Sequence, residues 1–374
     1  MRANVALLIM ISLFLVVCIV IFPSECIAAA KDGLNDWLDI IVPSLLPFMI
    51  GSNILLRTGI LKPLADFCTP FTSKLFGASG NLLYIFISSA LSGYPMGAKL
   101  SGDLYRSGAI THNDAVRIVN ATSISGPLFI SGAVATSILK NPAVAEFIYF
   151  PHIISALIAA MLFHIFVYPK SMRDAPGFRT VKQEKTDIRV GKVLNDSIMN
   201  SLSTIGMIGG FIILFSVFTT IMEELNIFSF LGFILSPIFN LLHLDLNLSH
   251  PLLTGVLEMS NGCIALGNIP GLLTQKILVA TFVITFSGLS ILFQTYSVMS
   301  LAGIKNRYFI PVKITQSIIA VILCVIFINS MSMSVGDFHM DTFAPDSSAA
   351  TWIGIMFLIP CILYLIYRSR RVKM

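Results

Sequence analysis

Two short segments of the chain place ionisable side chains inside otherwise apolar sequence. The segment "LSGYPMGAKL" (91–100) brings in Lys99 after a Gly-Tyr-Pro break, and "LEMSNGCIAL" (257–266) holds Glu258 three residues before Asn261. An ionisable residue within a membrane segment is energetically costly and tends to mark a ligand or ion pathway. A lysine ammonium suits an anionic substrate, and a buried carboxylate can bind Na+ or take up a proton. These residue types predict an anion site near Lys99 and a coupling-ion site near Glu258.

Further polar residues follow these two segments along the chain. The segment "NATSISGP" lies in the apolar stretch after the first break, and "TFSGLSILFQ" lies in the stretch after the second. The predicted substrate-binding residues are Ser92, Gly93, Tyr94, Lys99, Asn120, Ser123, Ser125 and Ser287, with Thr285 and Gln294 as further candidates. The predicted ion-coupling or gating residues are Glu258, Ser260 and Asn261.

Purely structural roles compete with each of these assignments. Lys99 is one helical turn from Asp103 and has the spacing of an interfacial salt bridge. Glu258 and Lys99 have opposite charges and could form a structural salt bridge that holds the two segments together. Serine and threonine in membrane helices often only hydrogen-bond neighbouring helices together. His152 and His164 are interpreted as helix-packing residues.

The composition indicates a protein that lives in a bilayer. Of the 374 residues, 56% are hydrophobic and 11% are charged, whereas soluble domains average about 25% charged residues. The net charge of +5 is concentrated in loops, which favours a role in membrane orientation over nucleic-acid binding. The six cysteines form no CxxC pair, so neither a zinc site nor a disulfide framework is predicted. HExxH, GxSxG and nucleotide-binding GxxxxGK[ST] motifs are absent, so we expect no catalytic residues, no metal and no cofactor beyond a coupling ion, Na+ or H+.

Hydropathy predicts an all-α polytopic membrane protein with about eight transmembrane helices. The first is interpreted as a retained helix and not as a cleaved signal peptide, because its charge-free run of 18 residues is long for a signal. The predicted spans are 5–22, 38–56, 113–139, 146–168, 197–222, 276–302, 309–331 and 352–367.

Two regions are too interrupted for simple spans and are predicted to be re-entrant helical hairpins, at about 81–108 and 250–273. Broken backbone at membrane depth is tolerated only where protein buries it or where it lines a watery cavity. The basic segment 168–192 and the basic C-terminal tail place both termini in the cytoplasm.

The order of elements is the same in two halves of the chain. Each half has a span, an amphipathic stretch, a hairpin and a second span, and Ser125-Gly126 aligns with Ser287-Gly288. The charge rule makes the halves inverted repeats, which are typical of secondary transporters. The predicted divisions are an N-terminal helix with an external loop (1–35), a first gate repeat (36–168), a basic cytoplasmic linker (169–192), a second gate repeat (193–302) and C-terminal helices with a basic tail (303–374).

Three motifs, "LSGYPMGAKL", "NATSISGPLFISGAV" (120–134) and "LEMSNGCIAL", resemble those of the YlbJ-type sporulation integral membrane proteins, also called stage V sporulation protein V. That family carries two nucleoside-recognition gate domains and is related to concentrative nucleoside transporters. The resemblance covers about 36–301. The first hairpin lacks the Gln-Thr-Glu type string with which nucleoside carriers bind ribose, which favours an acid as substrate.

The resemblance implies transport of dipicolinic acid, a small dianion, across the outer forespore membrane. Tyr94 then suits stacking on its pyridine ring. The resemblance leaves open a homo-oligomer and an acceptor transporter in the inner forespore membrane. The alternative functions are an ion-coupled nucleoside or nucleobase carrier, and a membrane scaffold or enzyme for spore-envelope assembly. The expected surroundings are the lipid bilayer, and no nucleic-acid partner is expected.

Overall fold

The apolar segments of the chain form helices, since a helix satisfies its backbone hydrogen bonds within one segment. The computed structural model describes residues 2–57, 62–168 and 190–334, and those residues contain no β-strand. The helices are α1 (Arg2–Ile21), α2 (Pro23–Asp36), α3 (Val42–Arg57), α4 (Lys62–Phe76), α5 (Asn81–Ser92), α6 (Met96–Arg106), α7 (His112–Thr122), α8 (Val144–Leu162), α9 (Val190–Glu224), α10 (Ile227–Leu241), α11 (Ser249–Leu257), α12 (Met259–Asn268), α13 (Leu273–Phe286), α14 (Gly288–Ala302) and α15 (Phe309–Ser334). π-Helical segments cover Trp37–Ile41, Phe129–Ile138 and Phe163–Val167, and a 3-10 turn covers Leu246–Leu248.

Several of these helices are long and apolar enough to cross a membrane. Within the described residues there are four such helices, or up to six if each of two bent pairs is one span. The four are Val144–Val167, Val190–Glu224, Leu273–Ala302 and Phe309–Ser330. The bent pairs are Ile9–Ile21 with Pro23–Asp39, at 108°, and Thr69–Phe76 with Asn81–Ser92, at 88°. The all-α polytopic membrane fold is confirmed, and the predicted span 352–367 lies outside the described residues.

Two helical hairpins occupy the regions predicted to be interrupted. The first hairpin is α5 and α6, which are separated by Gly93, Tyr94 and Pro95. Gly93 has a φ of +75°, and a Cβ there would lie 2.9 Å from the amide nitrogen of Gly126. The second hairpin is α11 and α12, which are separated by Glu258 in an extended conformation. Each hairpin therefore changes direction at the residues where its sequence changes from apolar to small or polar.

The helix after each hairpin is also broken. The first broken helix consists of α7 and the π-helical segment Phe129–Ile138. Between them, residues 123–126 are not helical. The prediction of one continuous span at 113–139 was wrong, because Gly126 and Pro127 interrupt the helical hydrogen bonds. The second broken helix consists of α13 and α14, with the break at Ser287, whose φ is +74°.

The two halves of the chain interlock through these elements. In the first half, α6 packs on α7 and also on α14 of the second half. In the second half, α12 packs on α13 and also on the π-helical segment Phe129–Ile138 of the first half. Helices α8 and α15 pack on each other, and both contact α7 and α13. The apolar core between the halves includes Ile130, Ala133, Val283 and Ile284, all of them fully buried.

Candidate functional site

A cavity lies where the tips of the two hairpins meet the first broken helix. Its wall combines polar atoms from both hairpins with apolar side chains from the surrounding helices, which is the usual character of a small-molecule site. The lining residues are Ile41, Leu45, Ser92, Gly93, Tyr94, Ser125, Gly126, Phe129, Ile208, Glu258, Met259, Ser260, Ile291 and Gln294.

Two buried residues of this wall each have a side-chain oxygen without a hydrogen-bond partner among the described residues. They are Ser92, whose Oγ is unpaired at the end of α5, and Gln294, whose Oε1 is unpaired on α14. Their exposed fractions are only 5% and 1%. Buried polar atoms in native proteins are nearly always hydrogen-bonded, so unpaired ones in a cavity wall are available to a ligand or to water.

The second hairpin tip is organised by the carboxylate of Glu258. Its Oε2 accepts a hydrogen bond of 2.7 Å from the backbone amide of Asn261 and so caps the N-terminus of α12. Its Oε1 lies 3.4 Å from Oγ of Ser290 in the first turn of α14. Nδ2 of Asn261 donates to Oγ of Ser216 over 2.7 Å, while its Oδ1 has no partner among the described residues. Glu258 thus sits at the N-terminal ends of two half-helices, where their dipoles favour a negative charge.

The first hairpin tip is held by a lysine that the sequence analysis did not select. Lys313 of α15 is fully buried, and its Nζ donates to Oη of Tyr94 over 3.0 Å, to the carbonyl of Ser123 over 3.1 Å and to Oε1 of Gln316 over 2.9 Å. The same Nζ lies 5.2 Å from the centroid of the Tyr94 ring. The only signal in the sequence is a lysine four residues into an apolar helix, a position from which lysine ordinarily extends to the membrane surface.

A second buried side chain from a neighbouring helix enters the first break. The backbone amide of Ser125 donates to Nε2 of His152 over 2.9 Å, and Nδ1 of His152 lies 3.0 Å from Oγ1 of Thr285. The first break therefore receives a hydrogen-bond donor at its carbonyl end, from Lys313, and a hydrogen-bond acceptor at its amide end, from His152. These contacts hold a non-helical segment in place inside the protein.

The cavity brings together some of the predicted site residues and leaves others apart. Ser92, Gly93, Tyr94, Ser125, Glu258 and Ser260 all line it. Asn120 is buried elsewhere, where its Nδ2 donates to Oη of Tyr168 and its Oδ1 accepts from Nδ2 of Asn306, each over 2.7 Å. Ser123 contributes its carbonyl to Lys313, and Oγ of Ser287 donates to the carbonyl of Phe286.

Lys99 lies on α6 and is partly buried, and it is not among the lining residues of the cavity. Asp103, its expected partner in the structural alternative, forms an exposed pair with Arg106 at 2.5 Å. The amino group beside Tyr94 therefore comes from Lys313 on α15 and not from the hairpin itself. No group of three or more His, Cys, Asp or Glu in the described part of the chain has the arrangement of a metal site.

Comparison with known proteins finds a family model, a curated relative and a solved structure that the chain resembles. Residues 205–305, which run from α9 to the end of the second broken helix, match the family model Gate, described as nucleoside recognition. The chain is 28% identical over 335 residues to the sporulation integral membrane protein YlbJ of Bacillus subtilis (strain 168). The aligned region covers 86% of this chain and 82% of that protein. A solved structure of a CNTnw double variant in an outward-facing state aligns with a TM-score of 0.42 and 12% identity, over 81% of this chain and 83% of that one. The resemblance predicted from the three motifs is confirmed, and the chain is a membrane protein similar to a sporulation protein.

Proposed function

We propose that the chain is a secondary carrier that moves a small anionic metabolite, dipicolinic acid, across the outer forespore membrane by alternating access. The observation that carries this proposal is the cavity shared by both hairpin tips, with the unpaired Oγ of Ser92 and Oε1 of Gln294 in its wall. Secondary carriers place their substrate site at discontinuous helices between structural repeats. A scaffold would gain nothing from burying unpaired polar atoms, which cost about 1–3 kcal/mol each.

The charges around the cavity support an anionic substrate together with a compensating ion. The ammonium of Lys313 lies behind Tyr94, so the first hairpin tip carries a fixed positive charge. The N-terminus of α12 adds its partial positive charge at the second tip. A Glu258 carboxylate in the same wall repels an anion unless a cation or a proton accompanies it. We therefore assign Glu258, with Ser260 and Asn261, to H+ or Na+ coupling.

The choice of dipicolinic acid rests on the resemblance to the YlbJ-type proteins and on the shape of the wall. The rings of Tyr94 and Phe129 offer apolar faces to an aromatic ligand, and Ser92 and Ser125 offer hydrogen bonds to its carboxylates. The match to a nucleoside-recognition model favours one competing substrate class, a nucleoside or nucleobase. The remaining alternative is a membrane scaffold or enzyme for spore-envelope assembly. Both termini are proposed to lie in the cytoplasm of the mother cell, with an acceptor transporter in the inner forespore membrane.

The proposal is tested by uptake of radiolabelled dipicolinate into sealed proteoliposomes. We expect saturable uptake by the wild-type protein and competition by unlabelled dipicolinate. Uptake of labelled uridine or adenosine without uptake of dipicolinate would assign the site to nucleosides, and the absence of flux for all three would favour the scaffold.

Two lysine variants then locate the positive charge that matters to the substrate. If the predicted role of Lys99 is correct, Lys99→Ala abolishes uptake. If Lys313, next to Tyr94, attracts the substrate, Lys313→Met reduces uptake and Lys99→Ala retains most of the wild-type uptake. Thermal unfolding of each purified variant separates loss of folding from loss of function.

A further inference from the structure

The C-terminal end of α7 lies at the first break and meets a positive charge. The carbonyls at the end of a helix carry a partial negative charge and lack hydrogen-bond partners within the helix. In secondary carriers with discontinuous helices, such carbonyls coordinate the coupling cation. Here the carbonyl of Ser123, directly after α7, accepts a hydrogen bond of 3.1 Å from Nζ of Lys313.

The surroundings of Nζ are those of a bound cation. Three oxygens lie at 2.9–3.1 Å from it: Oη of Tyr94 on the hairpin tip, the carbonyl of Ser123 in the break, and Oε1 of Gln316 on α15 itself. An ammonium has three N–H donors and no acceptor, so the three oxygens satisfy it completely. Among the described residues Lys313 makes no ion pair with a carboxylate, and its side chain is fully buried.

We infer that the ammonium of Lys313 is a tethered cation that occupies the place of a dissociable coupling ion at the first break. The inference rests on the proposed function only in treating the chain as a carrier. The first hairpin is then closed onto the first broken helix at all times by a charge that never leaves the protein. Na+ has no vacant position there, so any ion coupling belongs to Glu258 at the second hairpin.

Removing the lysine while keeping its three oxygen ligands tests this inference. Lys313→Ala leaves a vacancy that Oη of Tyr94, the carbonyl of Ser123 and Oε1 of Gln316 still line. Lys313→Met removes the charge but fills the space with an unbranched apolar side chain of similar length. Thermal unfolding of the purified proteins in detergent is measured with NaCl and with N-methylglucamine chloride at equal ionic strength.

We expect NaCl to raise the melting temperature of Lys313→Ala in a saturable way, by at least about 2 °C, because a bound ion stabilises the folded state. Lys313→Met is expected to show no such rise. The same melting temperatures are then measured with Glu258→Gln added to the wild-type protein, to Lys313→Ala and to Lys313→Met. This substitution removes any contribution of Na+ bound at the second hairpin. An equal Na+ response in Lys313→Ala and the wild-type protein overturns the inference.

A second measurement keeps the inference testable if Lys313→Ala does not fold. The protein carrying only Glu258→Gln retains Lys313, so its melting temperature is expected to be the same in NaCl and in N-methylglucamine chloride. A saturable Na+ response in that protein would mean that a free cation binds beside the lysine, and the inference would be wrong. Neither result depends on dipicolinate transport, so failure of the proposed substrate leaves this test intact.

Discussion

Ser125 and Thr285, which lie at the breaks of two different helices, are joined through the imidazole of His152. The amide of Ser125 can only donate, so Nε2 of His152 accepts that bond of 2.9 Å. The ring therefore carries its proton on Nδ1, which lies 3.0 Å from Oγ1 of Thr285 and donates to it. A single neutral side chain thus fixes the separation of the first and second broken helices.

Replacement of His152 is expected to destabilise the protein. His152→Ala leaves the buried amide of Ser125 without its acceptor, which costs about 1–3 kcal/mol. Thermal unfolding in detergent should therefore show a clearly lower melting temperature than for the wild-type protein. His152→Gln keeps one acceptor and one donor and is expected to fall between the two.

His250→Ala is the control for the His152 variants. His250 pairs with Glu223 over 2.7 Å on the exposed surface, and exposed pairs contribute about 0–1 kcal/mol. A melting temperature of His152→Ala equal to that of His250→Ala would show that the bridge between the breaks contributes nothing to stability.

Two variants of Glu258 separate its capping role from its charge. Glu258→Ala removes the acceptor for the amide of Asn261 at the start of α12, and loss of an N-cap costs about 0.5–2 kcal/mol. Glu258→Gln retains an oxygen acceptor and is expected to unfold close to the wild-type temperature. In proteoliposomes, Glu258→Gln is expected to lose the dependence of uptake on an H+ or Na+ gradient.

The two gradients are imposed one at a time, with the other ion equal on both sides of the vesicle membrane. Dependence on the H+ gradient alone identifies a proton as the coupling ion, and dependence on the Na+ gradient alone identifies Na+. Unchanged gradient dependence in Glu258→Gln would remove Glu258 from coupling and leave it as a helix cap.

The second hairpin depends on the absence of side chains where α11 and α12 approach each other. A Cβ on Gly262 would lie 2.2 Å from Cα of Gly255 and 3.0 Å from the carbonyl oxygen of Pro251. These are backbone atoms, so Gly262→Ala must separate the two helices and is expected to cost about 1–3 kcal/mol or more. Thermal unfolding measures the cost.

Gly210 provides the matched control for Gly262. It is exposed on α9, and a Cβ there would meet nothing within 4 Å. Gly210→Ala is expected to leave the melting temperature unchanged or slightly higher, because alanine favours a helix more than glycine does. Equal effects of the two substitutions would contradict the close approach of α11 and α12.

The unpaired hydroxyl of Ser92 gives opposite expectations for stability and for substrate binding. Ser92→Ala removes a buried polar atom without a partner, so the melting temperature should stay the same or rise. If the hydroxyl binds substrate, the concentration of dipicolinate needed for half-maximal uptake should rise at least about tenfold, since such a hydrogen bond to a charged group contributes about 1.5–3 kcal/mol. Ser107→Ala, at an exposed position on the surface, should change neither quantity.

The sequence was sufficient to locate both hairpins, whereas the break at Ser287 lies inside the stretch 276–302 that was predicted as one span. In each hairpin the apolar run ends at small or polar residues, around Gly93 in the first and Glu258 in the second, and the structure changes direction at those residues. The break in the first span was missed, because an average of hydropathy over 113–139 does not respond to the two residues, Gly126 and Pro127, that interrupt it.

The candidate site was predicted in part for a related reason. Residues at a hairpin tip are close in sequence, so selecting Ser92 and Tyr94 also located one side of the cavity. Lys313 lies 219 residues from Tyr94, and the two meet only in the folded chain. Hydropathy and spacing carry no information on such a long-range contact, so Lys99, the nearest lysine in sequence, was selected.

The reciprocal packing of α6 on α14 and of α12 on the π-helical segment Phe129–Ile138 bears on how the chain is made. Translation delivers the first hairpin to the membrane long before α14 has been synthesised. The tip of that hairpin and the carbonyl of Ser123 therefore lack their partners until α14 and Lys313 have been synthesised. Lys313 is the last of these partners in the chain. The finished arrangement is reached only after insertion of α15, so a chain truncated before this helix lacks the contact of Lys313 with the tip of the first hairpin.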